Sequence, residues 1–510
     1  MIQKLAGALI ARLKNHIFLQ PVFPLAVAAV GGVVLLLLDT TLVSFVGVMA
    51  AFPLAGCGLA LFFLTPEKTK SRAFLFLAFS AGLFVGGVQQ LGLELKKQTS
   101  YIPIKLRTVE EVGIILDDDS YRLENGNTVY RGSLFEVSSR GRSMTVTAQG
   151  AILVFVKNGH AAFWGERLRI VCVPRRASGQ ADILYTASAR QDAVYIEGFA
   201  SPLAEFRKTL LAAVIHQTEM LGTDAAGFFK ALFLGIKDDL DFSLRESFQK
   251  SGSMHLLALS GLHVGMVVML VSALLFWVQK RKLKIAITAV VACCYLFLAG
   301  PSPSLLRAVI MFAGAGLAYL VEREVRPVNI LAFSACAVLL LAPEGVRTLS
   351  FALSYAALLG ILTFGRKLHR WFSSRLPSRI SALLSAALGA QLFTIAFVFS
   401  AFSEWYPAGI IASVILIPLV TVFFWAGLLF LPMTLLPIQA VRDTIPFLMN
   451  GLFWVLRFMT ELFASIPGIH AEWQWWYWIV AAIFCMIAGS GIIETVIHEL
   501  RKQKRNPPGP

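Results

Sequence analysis

The sequence predicts a polytopic α-helical membrane protein of about 12 crossings, with a small all-β, OB-like extracytoplasmic domain inserted after the third helix. Of its 510 residues, 57% are hydrophobic and 15% are charged, whereas a soluble domain is about half apolar and about a quarter charged. Apolar runs long enough to cross about 30 Å of hydrocarbon recur along most of the chain. One polar segment, residues 101–198, interrupts them with β patterning.

Residues 1–100 are predicted to contain three membrane helices, over the apolar runs 21–38, 42–64 and 73–92. The N-terminal residues and the loop "TPEKTKSR" are basic, so the positive-inside rule assigns both to the cytoplasmic side. The start of the chain lacks a small-residue cleavage site after an apolar core, and we interpret it as a retained lead-in. The third helix then delivers the chain to the outer side.

Residues 101–198 have the patterning of β structure. The stretches "SLFEVSS", "AILVFVK" and "ERLRIVCV" alternate or run in β-branched residues, and turn signals such as "ENGN" and "KNGH" separate them. Five or so short strands in about 100 residues suit a small barrel or sandwich. We therefore predict a folded extracytoplasmic domain.

Residues 199–254 are predicted to form amphipathic helices on the outer surface, because their periodicity is amphipathic rather than spanning. A membrane domain of about nine helices follows in residues 255–496, and residues 497–510 form a basic cytoplasmic tail. The densest basic clusters, including "QKRKLK" and "GRKLHRWFSSRLPSR", fall in the predicted inner loops. This pattern predicts a multi-pass protein of the inner (plasma) membrane with both termini cytoplasmic. The expected runs are 255–278, 285–300, 306–321, 328–342, 349–364, 380–402, 407–436, 445–466 and 475–496.

The net charge of +15 has two interpretations. One is the positive-inside bias of an inner-membrane protein, and the other is an anionic partner such as nucleic acid. The six cysteines offer neither a disulfide framework nor zinc spacing, since five of them lie in apolar runs. We expect no metal and no cofactor.

The stretch "HLLALSGLHVG" sets polar groups and glycines at the head of an apolar run. On a helix, Ser260 and His263 would share a face, and Gly261 and Gly265 would form a small-xxx-small face that admits another helix. His255 and His263 would lie about 12 Å apart along the axis, which does not make a chelating pair. Two alternatives remain, a packed helix end with polar caps and a Ser–His nucleophile pair that has no carboxylate nearby in sequence.

Two later features interrupt the apolar pattern. Arg307, in "AGPSPSLLRAVIM", falls just inside a spanning run, where it would either snorkel to the headgroups or face an anion in a pore. Pro418, in "GIIASVILIPLV", interrupts the long run 407–436. It marks either an ordinary kink or a broken or re-entrant helix whose backbone lines a water-filled path.

Basic residues outnumber acidic ones in the second part of the β segment, residues 131–176. With Phe155, Phe163 and Trp164 nearby, this part could form an OB-like platform for a single strand. A solvated β surface is the alternative. The candidates for DNA binding are Arg140, Arg142, Lys157, Trp164, Arg167, Arg169, Arg175 and Arg176.

The motifs together resemble those of the ComEC family, the DNA-internalisation channels of natural competence. The resemblance begins with "HLLALSGLHVG", preceded by "ALFLGIKDDLDFSLRESFQKSG". It continues through "GPSPSLLRAVIM", "LSFALSYAALLGIL" and "AAQLFTIAFVFSAFSEWYPAGIIASVILIPLV", in the order and spacing of the family. The segment "GERLRIVCVPRR" resembles the end of the family's OB-like domain, so the likeness covers nearly the whole chain.

The resemblance implies an inner-membrane channel that passes one strand of incoming DNA to the cytoplasm while the complement is degraded outside. Carried onto this sequence, His255, Ser260, Gly261, His263 and Gly265 form the channel motif. The implied partners are single-stranded DNA, membrane lipids, a separate nuclease, a DNA receptor and a cytoplasmic motor ATPase, with the oligomeric state open. The candidates for the channel lining are Arg307, Ser354, Gln391, Ser413 and Pro418.

The sequence departs from the family pattern in three places. It contains no HxHxDH metal motif of the metallo-β-lactamase-like domain with which family members commonly end, so we expect no nuclease activity and no other enzyme activity. Ala352 stands where the family has glutamine, and Ser413 stands where it has asparagine. Three hypotheses follow: a single-strand DNA channel, a divergent ComEC-like transporter or channel for another polar or anionic solute, and an intramembrane hydrolase using Ser260 and His263.

Overall fold

A computed structural model describes a β unit followed by a helical bundle. The described residues are 88–89, 102–103, 106–123, 125–139, 142–177, 184–300, 302–320, 327–342, 345–346 and 348–470. The three N-terminal crossings, the run 475–496 and the basic tail predicted above lie almost wholly outside these residues.

The β unit is one eight-stranded sheet within the described part of the chain. Its order is β6-β7-β4-β3-β1-β5-β8, with β2 paired to β3. The β4–β7 pair is parallel and the other pairs are antiparallel. The strands are β1 (Val109–Leu116), β2 (Tyr121–Arg122), β3 (Asn127–Ser139), β4 (Arg142–Lys157), β5 (Glu166–Val171), β6 (Arg175–Arg176), β7 (Tyr185–Arg190) and β8 (Val194–Phe199).

The alternation of apolar residues along the strands builds the core of this unit. Val112 and Ile114 of β1 are buried beside Ile152 and Val154 of β4, as expected of strands with one face turned inward. Cys172 belongs to the same core, and burial raises the pKa of its thiol to about 12. The unit therefore has its own hydrophobic core, separate from that of the helices.

The helical bundle follows β8 directly. Pro202 begins the first helix behind the capping side chain of Ser201, a sequence typical of helix starts. The helices are α1 (Pro202–Glu219), α2 (Thr223–Leu234), α3 (Phe242–Lys250), α4 (Gly261–Leu274), α5 (Arg281–Ala299), α6 (Pro303–Leu320), α7 (Pro327–Leu341), α8 (Leu349–Gly360), α9 (Arg366–Phe372), α10 (Ser378–Phe402), α11 (Gly409–Met433) and α12 (Gln439–Ala464). A π-helical turn, Ile361–Gly365, joins α8 to α9, and short strands β9 (Glu404–Trp405) and β10 (Ile469–His470) pair with each other.

Six helices of the described chain are long and apolar enough to cross a membrane, namely α5, α6, α8 continued through α9, α10, α11 and α12. Two shorter apolar helices, α4 and residues Ile330–Leu341 of α7, accompany them. Eight of the nine later runs predicted from hydropathy thus coincide with helices. The structure is consistent with a multi-pass membrane protein that carries a β domain, and the count of about 12 stays a prediction.

One helix differs from the expectation for residues 199–254. Instead of lying on the outer surface with one polar face, α2 is buried at ten of its twelve positions. It packs between α11 and α12, where Phe228 and Phe229 contact Phe423, and Phe228 also contacts Phe453. Its one lysine, Lys230, is buried and ion-paired with Asp239. The ion pair removes the cost of an unpaired charge, which is why a lysine is compatible with this position.

Two basic side chains of α1 join the β unit to the bundle. Arg207 of α1, 3% exposed, donates from Nη1 and Nη2 to the two carboxylate oxygens of Asp119, at 2.7 and 2.6 Å. The same guanidinium donates from Nε to the carbonyl of Phe297 and from Nη2 to that of Leu298, at the end of α5. Lys208 pairs with the fully buried Glu166 of β5. One arginine thus ties the β unit, α1 and α5 together.

Glycine makes close packing possible at the centre of the bundle, and a pair of substitutions tests this. A methyl group at Gly427 would lie 2.3 Å from the ring of Phe229, whereas one at Gly451 would meet nothing within 4 Å. We expect Gly427→Ala to destabilise the folded protein by about 1–3 kcal/mol, through overpacking. Gly451→Ala should leave stability unchanged or slightly raised, because alanine favours helix. Thermal unfolding in detergent measures both, and equal midpoints for the two variants would contradict this packing.

Candidate functional site

The polar residues of "HLLALSGLHVG" cap a helix rather than share one. Met254–Leu256 form a short 3-10 turn, and α4 begins only at Gly261. Ser260 is therefore the N-cap, its Oγ accepting from the amide of Leu262. The Nδ1 of His263 accepts from the amide of Ser260 at 3.2 Å and lies 3.2 Å from its Oγ. The expectation of one helix through His255 and His263 is wrong, because Ser260 caps the beginning of α4 and His255 lies before it.

His263 itself is fully buried. Its ring packs edge-on against Phe424 of α11, and its Nε2 has no hydrogen-bond partner in the described part of the chain. The described residues place no carboxylate in hydrogen-bond contact with this imidazole. A Ser–His nucleophile pair needs a third group that orients the base, so this geometry favours the capping interpretation.

Basic groups lie near this cap on the side of α2. Lys237, in the loop after α2, and His255 both lie close enough to His263 to interact with it electrostatically. Burial, and secondarily the charge of Arg245, lowers the pKa of Lys237. His255 is exposed although the next two residues, Leu256 and Leu257, are fully buried.

The loop before His255 packs tightly against the start of α11. Gly252 has φ +68, and a methyl group there would lie 2.9 Å from the Cα of Gly409. A methyl group at Gly409 would in turn lie 3.1 Å from the amide nitrogen of Gln391. Gln391 accepts a hydrogen bond from the indole of Trp405 at 3.1 Å. The structure thus brings the lining candidate Gln391 next to the loop that carries His255.

Gly261 of α4 faces α6 and its arginine. A methyl group at Gly261 would lie 3.3 Å from Nη2 of Arg307 and 3.3 Å from Cβ of Ala308, while one at Gly265 would meet nothing within 4 Å. Arg307 is 7% exposed, so it does not snorkel to the headgroups. Its Nη1 donates to the carbonyl of Ser354, and its guanidinium lies 5.4 Å from the centre of the Tyr355 ring.

The remaining candidates for the channel lining do not lie together. Ser354 lies beside Arg307 and contributes its backbone carbonyl. Ser413 is buried, and its hydroxyl donates to the carbonyl of Gly409 in its own helix. Pro418 neither breaks the helix nor faces inward: α11 is continuous, and Pro418 is exposed with Ile411 and Ile415 on the outer apolar face. Of the two alternatives, the broken or re-entrant helix is therefore wrong, because α11 continues through Pro418, whose ring lies on the exposed side.

The basic candidates of the β unit are not one patch. Arg169 lies within 4.0 Å of Glu111, Glu136 and Glu197, so its charge is neutralised. Arg167 is exposed with its guanidinium 5.9 Å from the centre of the Phe135 ring. The backbone of Trp164 donates to Asp119, next to the helical bundle. Arg140 and the side chain of Arg142 lie outside the described residues.

A second group of these candidates does come together, across β4, β7 and β6. Lys157 is paired in register with Arg190, and Phe155 with Ser188. Arg175 is paired with Thr186. We call this the β4–β7 face: Phe155, Lys157, Arg175, Thr186, Ser188 and Arg190. A shallow cavity of about 420 Å³ adjoins it, lined by Val171, Ser188, Ala189, Arg190, Asp192 and Ala193.

Sequence reasoning missed Arg190 and Ser188. The signal in the sequence was the alternation of Thr, Ser and Arg with Tyr and Ala in "YTASAR", but only the parallel β4–β7 pairing sets Arg190 beside Lys157. Parallel pairing joins segments far apart in sequence and leaves no local pattern. The described residues hold no group of three or more His, Cys, Asp or Glu side chains that could bind a metal ion.

The architecture is that of a multi-pass membrane protein in which a β unit precedes an apolar helical bundle. Residues 232–496, just over half of the chain, match the family described as Competence protein. The chain therefore belongs to the competence protein (ComEC/Rec2) family.

A curated relative supports this membership. Over 244 residues the chain is 27% identical to ComE operon protein 3 of Bacillus subtilis (strain 168), a match that covers 46% of this chain and 30% of that protein. The match thus spans less than a third of the relative's length. No solved structure matches this chain.

The role of Ser260 is testable through its capping bond. We expect Ser260→Ala to lower the free energy of unfolding by about 1 kcal/mol, because one amide of the first turn loses its acceptor. Ser260→Asp should restore much of that stability, since aspartate also caps helices. Thermal unfolding of the detergent-solubilised protein measures this, and a variant Ser260→Ala with wild-type stability would exclude a structural cap.

Proposed function

We propose that the protein is an inner-membrane channel that translocates single-stranded DNA into the cytoplasm during natural transformation. The observation that carries this proposal is one chain in which a helical bundle of the competence family is clamped to a β unit bearing the cationic, aromatic β4–β7 face. In the proposed topology both termini are cytoplasmic and the β unit is extracytoplasmic. The basic loops of the sequence support that orientation.

The β unit is proposed to be OB-like. Five of its strands run in the order β7-β4-β3-β1-β5, and β4 and β7 are parallel. This is the order of a five-stranded Greek-key barrel left open between its last two strands, β5 and β7. OB-folds commonly bind single strands on such a sheet.

The β4–β7 face is the proposed contact for the strand. Lys157 and Arg190 are exposed beside each other and would neutralise successive phosphates. Phe155 lies two residues before Lys157 in β4, so both are on the same face of the sheet. Its ring would provide a stacking surface for a base. Arg175 extends the positive charge across Thr186. A backbone-tracking groove with an aromatic residue binds single strands with little sequence preference.

The strand would then move from the β unit to the bundle near Arg207, the residue that joins the two. Arg207 holds Asp119 of the β unit against the end of α5, and α5 is followed directly by α6 with Arg307. Residues Gly261, Gly265 and Arg307 form the proposed lining at this point, with Gln391 and Ser354 nearby. A separate nuclease, a DNA receptor and a cytoplasmic motor ATPase are the proposed partners. The motor is proposed because no P-loop motif of the GxxxxGK[ST] type occurs in the sequence, and the nuclease because no HxHxDH motif does.

Strand binding is measured on the full chain in maltoside detergent with a fluorescent oligothymidylate of about 20 nucleotides. We expect the double substitution Lys157→Ala, Arg190→Ala to weaken binding and to reduce the salt slope by about 0.7 for each phosphate that is no longer neutralised. Arg169→Ala should have a smaller effect, since three glutamates already neutralise that charge. Equally weakened binding in the two variants would argue against the β4–β7 face.

Transport itself is tested by a clean deletion of the gene in a naturally competent host. We expect labelled DNA to bind at the cell surface and to stay out of the cytoplasm, and the wild-type gene in trans to restore uptake. Transformation at the normal rate in the deletion strain would refute the proposed cargo. A solute-specific growth defect with normal transformation would instead favour the alternative, a ComEC-like transporter or channel for another polar or anionic solute.

A further inference from the structure

The helical bundle contains a buried arginine that forms no ion pair with any residue the structure describes. Arg307 of α6 is 7% exposed, and no ion pair involves it among the described residues. A guanidinium carries five N–H donors, yet this one donates a single hydrogen bond within the described chain, from Nη1 to the carbonyl of Ser354. Its Nε has no partner in the described part of the chain. Burying a positive charge with unpaired donors is energetically costly unless an anion binds to it.

The unused donors form one edge of the guanidinium. Nε–H and the neighbouring Nη2–H point in parallel, and this is the edge that binds two oxygens of a carboxylate or phosphate at once. Nη2 lies 3.3 Å from the position that a methyl group on Gly261 would occupy. The edge is therefore beside the first turn of α4, whose amide dipoles add positive potential at a helix N-terminus.

Space for a ligand is present one helical turn further on. A methyl group at Gly265 would meet no atom within 4 Å. Gly261 and Gly265 are four residues apart and lie on the same face of α4. Gly265 therefore leaves open space on α4 one turn beyond Gly261, and Gly261 itself packs against Arg307 and Ala308.

Neighbouring groups hold the guanidinium of Arg307 in one orientation before any ligand binds. Tyr355 lies under the guanidinium at 5.4 Å, packs on Phe351 with ring centres 4.3 Å apart, and its hydroxyl lies 3.1 Å from Oγ of Ser334. The carbonyl of Ser354 holds Nη1 on the opposite side from the free edge. Preorganised donors lose little conformational entropy when a ligand binds.

From this geometry we propose that Arg307 and the Gly261–Gly265 face of α4 form a binding site for a phosphate oxyanion. The inference rests on the proposed function for the source of that group, the phosphodiester backbone of a DNA strand. Arg307 would hold two phosphate oxygens through Nε and Nη2. Because the contact is to the backbone, the site would be independent of base sequence.

The test uses the full chain in a maltoside detergent, which carries no phosphate. Thermal unfolding is followed while inorganic phosphate or an oligothymidylate of about 20 nucleotides is titrated at constant ionic strength. We expect a saturable rise in the unfolding midpoint with both, because a ligand that binds the folded state stabilises it. The oligonucleotide should act at the lower concentration, since adjoining phosphates raise the effective concentration of the second contact.

Two variants and one control locate the effect. Arg307→Gln and Gly265→Leu should each weaken the phosphate response by about tenfold or more, the first by removing the charge and the second by filling the space. Gly451→Leu should leave the response unchanged, because Gly451 also faces open space but lies on α12. Gly265→Leu keeps Arg307 in place, so it decides the question if Arg307→Gln fails to fold.

The outcomes are distinct from those of the uptake experiment. A midpoint that responds to neither ligand in the wild type, or that responds equally in Gly265→Leu, would overturn the site whatever the cargo of the channel. A response to inorganic phosphate without one to the oligonucleotide supports the site and assigns it to free phosphate. Anion binding that depends on Arg307, in a protein whose deletion leaves DNA uptake normal, would keep the site and remove the proposed function.

Discussion

The four hydrogen bonds of Arg207 hold the two parts of the molecule together. Its guanidinium binds both oxygens of Asp119 on the β unit and the carbonyls of Phe297 and Leu298 at the end of α5. The C-terminal carbonyls of a helix have no partner within the helix, and a cation there completes them. Arginine suits this role because its donors lie in one plane and reach several acceptors at once. Arg207 therefore contacts the β unit, through Asp119, and the end of α5 at the same time.

Within the bundle, the governing constraint is the cost of polar groups in an apolar setting. Most polar side chains meet it locally: Ser413, Thr421 and Thr460 donate to carbonyls one turn back in their own helices. Lys230 meets it through Asp239. Four buried atoms do not: Nε of Arg307, Nε2 of His263, the hydroxyl of Tyr295 and Oγ of Ser385 have no partner among the described residues. Each such atom requires an explanation, for example a bound ion or a functional role.

Arg307 and His263 lie on opposite sides of α4. Gly261 turns toward α6, where Arg307 lies, while His263 turns toward Phe424 of α11. Close approach of helices at glycines is a familiar means of packing in membranes, and Gly427 against Phe229 and Gly360 against Gly389 use it here. At Gly265 the same residue type leaves space instead. Glycine thus permits close contact between helices at several crossings, and at Gly265 it leaves open space.

Sequence by itself determined the membrane class, the β unit, eight of the later apolar helices and the family motif, because hydropathy and alternation depend on local composition. It also predicted that Ser260 and His263 would lie close together on one helix face, although it left a cap and a nucleophile pair as alternatives. The tertiary structure decided that α2 is buried, that Pro418 faces outward, that Arg169 is neutralised and that Arg190 joins Lys157. Each of these depends on a contact between residues distant in the chain, and only packing in three dimensions selects it. The free edge of Arg307 belongs to the same group, since a sequence states that an arginine is present but not which of its donors remain unpaired.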